Sequence, residues 1–161
     1  VGLLSIWLST PALAVDSGTL VIGQNLKVGM FLKEAMDLLG VPNKIRIDRG
    51  SDPSTDSVVM EYPELGVVLH TQNQATEVDE IEVLPGFKGK LDTGIHLGAT
   101  FNDVVEKYGP PVSYAMNMAR YPDKGMYLMM NKGDQKLVAL KIFKKGSKLL
   151  DQKLTGAAAE N

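Results

Sequence analysis

A chain of 161 residues with 44% hydrophobic and 22% charged side chains has the composition of a folded globular protein, which excludes global disorder. Its formal net charge of −2 argues against nucleic acid as a partner. The absence of cysteine excludes disulfides, thiolate metal centres, a cysteine nucleophile and a sulfur-linked lipid anchor.

No charge occurs in residues 1–14. There Leu3-Leu4-Ser5-Ile6-Trp7-Leu8 runs through Ser9-Thr10-Pro11 into Ala12-Leu13-Ala14, an apolar stretch, a helix breaker and an Ala-x-Ala cleavage pattern. The segment reads as a signal-peptide remnant, which predicts an exported product in the periplasm or outside the cell. Beyond it, no run of apolar residues approaches the roughly 20 needed to span a bilayer.

From residue 26 onward the sequence repeats itself. Leu26-Lys27-Val28-Gly29 through Gly40-Val41-Pro42 returns as Ile95-His96-Leu97-Gly98 through Gly109-Pro110-Pro111, an offset of 69. Tyr62-Pro63-Glu64-Leu65-Gly66 then returns as Tyr121-Pro122-Asp123-Lys124-Gly125 at an offset of 59. The ten residues lost between the two blocks match 48–57, which has the composition of an inserted loop. The expected organisation is a first repeat over 15–86 with its insertion at 48–57, a second over 87–148, and a tail over 149–161.

Each repeat opens with a predicted helix. Phe101, Val104, Val105 and Tyr108 form one apolar stripe, matched by Leu32, Ala35, Met36 and Leu39. Thr100 and Asp103 have capping-box spacing. Gly40 and Gly109 stand where a left-handed C-terminal cap belongs, with Pro42 and Pro111 two residues on. Strands are expected over 58–62 and 66–71, joined by the turn Pro63-Glu64-Leu65-Gly66, and over 113–121 and 126–130, joined by Pro122-Asp123-Lys124-Gly125. A third strand follows in each repeat, over 78–84 and 137–143, where apolar and charged residues alternate. Thr19 to Ile22 adds an edge strand. The fold class so predicted is α+β: two tandem repeats, each a short helix followed by a three-stranded antiparallel meander, packed as one compact unit.

Val28-Gly29 with Gly40-Val41-Pro42, and Leu97-Gly98 with Gly109-Pro110-Pro111, give the chain a pattern that resembles the BamE/SmpA-like modules of the bacterial envelope. Duplicated in one chain, the pattern also resembles the β-lactamase-inhibitor-protein-like fold. The resemblance covers most of residues 26–143 and implies a non-enzymatic protein-binding module. The chain departs from both groups in having no cysteine.

Motifs of catalysis are missing from the sequence: no Gly-x-Ser-x-Gly, no P-loop and no Gly-x-Gly-x-x-Gly. His70 and His96 have no ligand-spaced neighbours, so both are expected to pack at the surface or at an interface. Glu77, Asp79, Glu80 and Glu82 read as a solvated edge strand, and Asp48, Asp52 and Asp56 as loop residues loosely able to collect a hard cation. Met116, Met118, Met126, Met129 and Met130 crowd two strands. Thioethers suit Cu(I), but methionine also serves as core filler or adaptable contact surface.

Residues 19–86 hold five basic and eleven acidic side chains, a net −6, while 87–161 hold twelve and seven, a net +5. Such halves can attract partners, solvate two faces, or attract each other. Lys141, Lys144, Lys145, Lys148 and Lys153 also allow peripheral contact with an anionic membrane surface.

The expected function is an exported, non-enzymatic module that binds another envelope protein, with no cofactor, no catalytic residue and no nucleic acid; a homo-oligomer is compatible with it. The expected contact residues are Tyr62, Pro63, Tyr121, Pro122, Met126 and Met129. The alternative is a periplasmic small-ligand or copper carrier using Met116, Met118, Met129 and Met130.

Overall fold

Alternating apolar and polar residues decide most of this structure, and they make it a β protein. A computed structural model describes residues 15–150. The expected signal-peptide remnant at 1–14, and the tail beyond Leu150, lie outside the described residues. The described residues form ten strands: β1 Val21–Ile22, β2 Lys44–Asp48, β3 Ser57–Tyr62, β4 Val67–Gln72, β5 Glu80–Val83, β6 Lys90–Leu91, β7 Ser113–Ala115, β8 Met118–Tyr121, β9 Met126–Met130 and β10 Leu137–Phe143. Two α-helices, α1 Leu32–Leu39 and α2 Phe101–Tyr108, each span eight residues. Short 3₁₀ turns occur at Ser17–Thr19, Pro53–Thr55 and Pro122–Lys124.

Eight strands form one antiparallel sheet in the order β2-β3-β4-β5-β10-β9-β8-β7. This overturns the expected α+β fold of two tandem repeats, each a helix with a three-stranded meander. Two details of the sequence explain the difference. Lys44-Ile45-Arg46-Ile47-Asp48 alternates with period two and pairs along its whole length with β3, adding a strand where none was expected. The expected strand over 113–121 folds back on itself instead, because Met116 and Asn117 take φ of 51° and 61° between the paired Ala115 and Met118. Two adjacent residues at positive φ close a tight two-residue hairpin, whose backbone twist matches the strands it joins. The change of offset from 69 to 59 falls in the corresponding link from β2 to β3, a longer loop over residues 49–56.

β5 and β10 meet at the centre of the sheet, with Leu140 opposite Val83, Lys141 opposite Glu82, Ile142 opposite Ile81 and Phe143 opposite Glu80. β1 and β6 form a separate parallel pair. Thr19–Ile22 was expected to supply an edge strand; only Val21 and Ile22 of it form a strand, and they pair there.

The helices end on an unexpected backbone geometry. Gly40 has φ 85° and ψ −161°, and Gly109 φ 79° and ψ −178°, so neither is the left-handed helical cap expected. Positive φ combined with extended ψ is a region that essentially only glycine occupies. The carbonyl of each glycine accepts a hydrogen bond from a buried tyrosine: Tyr62 Oη donates to Gly40 O at 3.2 Å, and Tyr121 Oη to Gly109 O at 2.9 Å.

One face of the sheet builds the main core. Met60, Tyr62, Leu69, Ile81, Val83, Leu128 and Leu140 pack in a single cluster with Ala35 and Leu39 of α1 and Val104 of α2. Each fully buried aliphatic side chain of this kind contributes about 1.5–3 kcal/mol. On the opposite face Tyr127 and Phe143 are covered by Leu149 and Leu150, with Met118 beside them.

Candidate functional site

The second face of the sheet carries a buried polar cluster at the seam between β5 and β10. Directly paired residues share a face, so the register Val59–His70–Glu80–Phe143 forms one row across four strands. The adjacent row runs Glu61–Val68–Glu82–Lys141–Tyr127–Arg120. His70, Glu80, Glu82 and Lys141 thereby converge from β4, β5 and β10.

His70 is 5% exposed and Glu80 fully buried. Lys141 Nζ lies 3.5 Å from Glu80 Oε1 and 3.3 Å from Glu82 Oε1. The imidazole addresses the other oxygens: Nδ1 stands 4.0 Å from Glu80 Oε2, and Nε2 3.5 Å from Glu82 Oε2. The latter approach is close but does not make a hydrogen bond, and Nε2 is a buried nitrogen without one. The neighbouring imidazole, aided by the Lys141 ammonium and opposed by burial, holds the Glu82 carboxyl down to about 2. A small cavity of about 40 Å³ opens beside it, lined by Glu82, Met118, Tyr127, Met129 and Lys141 among others.

Around the cluster the acidic first half meets the basic second half within the molecule. Lys144 Nζ donates to Glu77 Oε2 at 2.5 Å, and the Ser147 hydroxyl donates to Asp79. Burial raises the Asp79 carboxyl, against the opposing Ser147 hydrogen bond. The charge contrast of the halves is thus partly spent across their own seam. Where Glu77, Asp79, Glu80 and Glu82 were expected to form a solvated edge strand, Glu80 and Glu82 instead lie on the central strand β5, and Asp79 and Glu80 are buried.

Half of the expected contact residues lie inside. Tyr62, Tyr121 and Met126 belong to the core, Pro122 is half-buried, and Pro63 and Met129 are exposed. The methionines proposed as copper ligands are not gathered. Met118 and Met129 are cross-strand neighbours on the cluster face, Met130 is buried in the main core, and Met116 stands out in the hairpin turn. His96 is exposed, with Nδ1 2.8 Å from Leu97 O. Asp48, Asp52 and Asp56 are engaged separately, with Arg46, with Ser54, and with Arg49 and the Gly50 amide. Of the lysines expected to face a membrane, Lys141 and Lys144 are paired, Lys145 and Lys148 are exposed, and Lys153 lies outside the described residues.

The rims of the sheet carry much of the exposed apolar surface. Ile45 and Ile47 on β2 are 59% and 58% exposed, and Val112, Tyr114 and Met116 flank or belong to β7 at the other rim. Among the described residues neither β2 nor β7 has a strand on its outer side. A separate open groove of about 710 Å³ runs along α1, lined by Phe31, Leu32, Met36, Ala75 and Thr76 among others.

No known sequence family matches the chain, and no curated protein is similar to it in sequence. A similar solved structure is that of an extracellular protein containing an SCP domain from Bacillus anthracis str. Ames. The TM-score is 0.55 at 16% identity, with 78% of this chain and 46% of that chain covered. This chain therefore spans about half the length of the solved protein it matches. At that identity the likeness concerns the fold alone, and it says nothing about BamE-like repeats.

Sequence reasoning missed the cluster because His70 lies 10 and 12 positions from the two glutamates and Lys141 about 60 beyond them, so they meet only through the β4–β5 and β5–β10 registers. The available signal was the alternation in Glu80-Ile81-Glu82-Val83, matched by Leu140-Lys141-Ile142, two amphipathic strands of opposite charge.

Proposed function

We propose that this chain is an exported, non-enzymatic module that binds another envelope protein by taking an extended segment of it along β2. The carrying observation is the rim of the sheet, where Ile45 and Ile47 stand exposed on a five-residue strand that has no neighbour on its outer side among the described residues. An unprotected apolar edge offers a ladder of backbone groups and alternating side-chain contacts, the mode by which peptides add as strands. The matching occupant is a segment with apolar residues at alternate positions. Lys44, Arg46 and Asp48 alternate with the isoleucines along the same edge, and Arg46 Nε is held by Glu61 at 2.8 Å. The docking surface therefore moves from the Tyr-Pro hairpins, whose tyrosines serve the core, to the rim.

Export is supported by the Ala12-Leu13-Ala14 pattern and by the extracellular nature of the structural neighbour. No helix among the described residues is long and apolar enough to cross a membrane.

A photo-crosslinking residue placed at position 47 of the full chain, expressed in the exporting cell, is expected to give a discrete protein adduct. Ile45→Lys should remove that adduct, and the same crosslinker at position 132, in an exposed turn, should not form it. Equal adducts from both positions, or none from position 47, would overturn the reading.

A further inference from the structure

The seam cluster has the donor set and the geometry of a cation site. Its two carboxylates are divided between neighbours: Lys141 holds the Oε1 oxygens, while both Oε2 oxygens are turned toward His70. The buried imidazole faces them with an Nε2 that makes no hydrogen bond. Buried polar atoms without partners are uncommon in folded proteins, and each calls for a cause.

We propose that His70, Glu80 and Glu82 form a binding site for a divalent transition-metal ion of zinc-like character, held by the imidazole and by the carboxylate oxygens turned toward it. One donor atom from each of the three residues lies within 4.8 Å of the other two. Zinc binds nitrogen and oxygen at about 2.0–2.2 Å, so tetrahedral donors stand roughly 3.4 Å apart, and closure needs movements on the order of 1 Å.

One imidazole with two carboxylates suits zinc. Calcium and magnesium favour all-oxygen shells of six or more, and Cu(I) favours thioethers and thiolates. Three protein ligands leave the fourth position of a tetrahedral zinc ion to a water. Lys141 acts as a positioning residue, orienting both carboxylates from behind. Bound there, the ion ties β4 to β5 beside the joint between the two halves of the sheet. The site goes beyond the protein-binding reading and does not depend on it.

Titration of the full chain, stripped with a chelator, with Co²⁺ tests the site directly. Intense visible d–d bands of four-coordinate cobalt should saturate at one ion per chain and be bleached by added zinc. His70→Gln and Glu82→Gln should each weaken binding at least about tenfold, the scale on which altered metal shells act. His96→Gln, at the exposed histidine, should bind as the parent does. Glu82 is the safer variant to fold, being part-exposed and replaced by an isostere, with circular dichroism as the check. The proposal is overturned if the parent shows no saturable one-to-one binding, if a folded Glu82→Gln binds like the parent, or if His96→Gln abolishes the bands.

Discussion

Gly40 and Gly109 show how one residue type can be required without any packing reason. A Cβ built on either would meet no atom within 4 Å, so the space is free and the constraint lies wholly in the backbone. Alanine at position 109 must hold φ near 79° with extended ψ, a strain of about 1–3 kcal/mol. Urea denaturation of Gly109→Ala should show that loss, and an unchanged midpoint would mean that the turn relaxes. The tyrosine that seats on each glycine carbonyl gives a second, milder test. Tyr62→Phe and Tyr121→Phe each remove one partly buried hydrogen bond and should cost about 0.5–1.5 kcal/mol while leaving the ring packing in place. The Gly and Tyr positions were plain in the sequence as repeated signatures. Their mutual bond was not, because residues 12 to 22 apart are brought together only by the sheet.

At the scale of elements, the helices were the most legible part, because caps and stripes are local. Thr100 Oγ1 accepts from the Asp103 amide at 3.2 Å, and Asp103 Oδ2 accepts from the Thr100 amide at 2.7 Å, the reciprocal cap that the spacing announced. α1 starts on Phe31, with only the Glu34 carboxylate reaching back to its amide, so the two helices are not equally capped. Thr100→Ala should cost about 1 kcal/mol in thermal or chemical unfolding. The Thr100 hydroxyl and amide hold the Asp103 carboxyl below its ordinary 3.8. A depressed folded-state value means that the stabilisation is complete above 3.8 and is lost as pH falls through the folded value. The stability difference between parent and Asp103→Asn should therefore be constant at neutral pH and shrink in acid; a difference that grows in acid would contradict the cap. Strands were harder to read. β2 was passed over because its five residues adjoin polar loop sequence, and the Met116-Asn117 turn lacks the usual glycine. What hid both was turn chemistry, not the alternation itself, which is clear in Lys44-Ile45-Arg46-Ile47-Asp48.

For the whole molecule the decisive pairing is β5 with β10, which no local pattern could announce, since Ile81 and Ile142 are 61 positions apart. It turns the halves of the sequence into one sheet and sets acidic β5 against basic β10. If that seam is the structural centre, damage there should be felt on both sides. Ile81 is fully buried and lies opposite Ile142 on one side and Leu69 on the other. Ile81→Ala leaves a cavity bordered by both halves and should destabilise by about 2–5 kcal/mol. Native-state hydrogen exchange distinguishes how the loss is shared. In one cooperative sheet, the amides of β4 and of β9 lose protection together and by similar free energies, because the opening that exposes one exposes the other. If only β2 to β5 lost protection while β7 to β10 kept theirs, the halves would be independent folding units joined edge to edge. The seam would then be an interface and not a core. The continuous apolar cluster from Met60 and Leu69 through Ile81 and Leu140 to Leu128 and Ala119 favours the cooperative outcome, since no gap in it separates the halves.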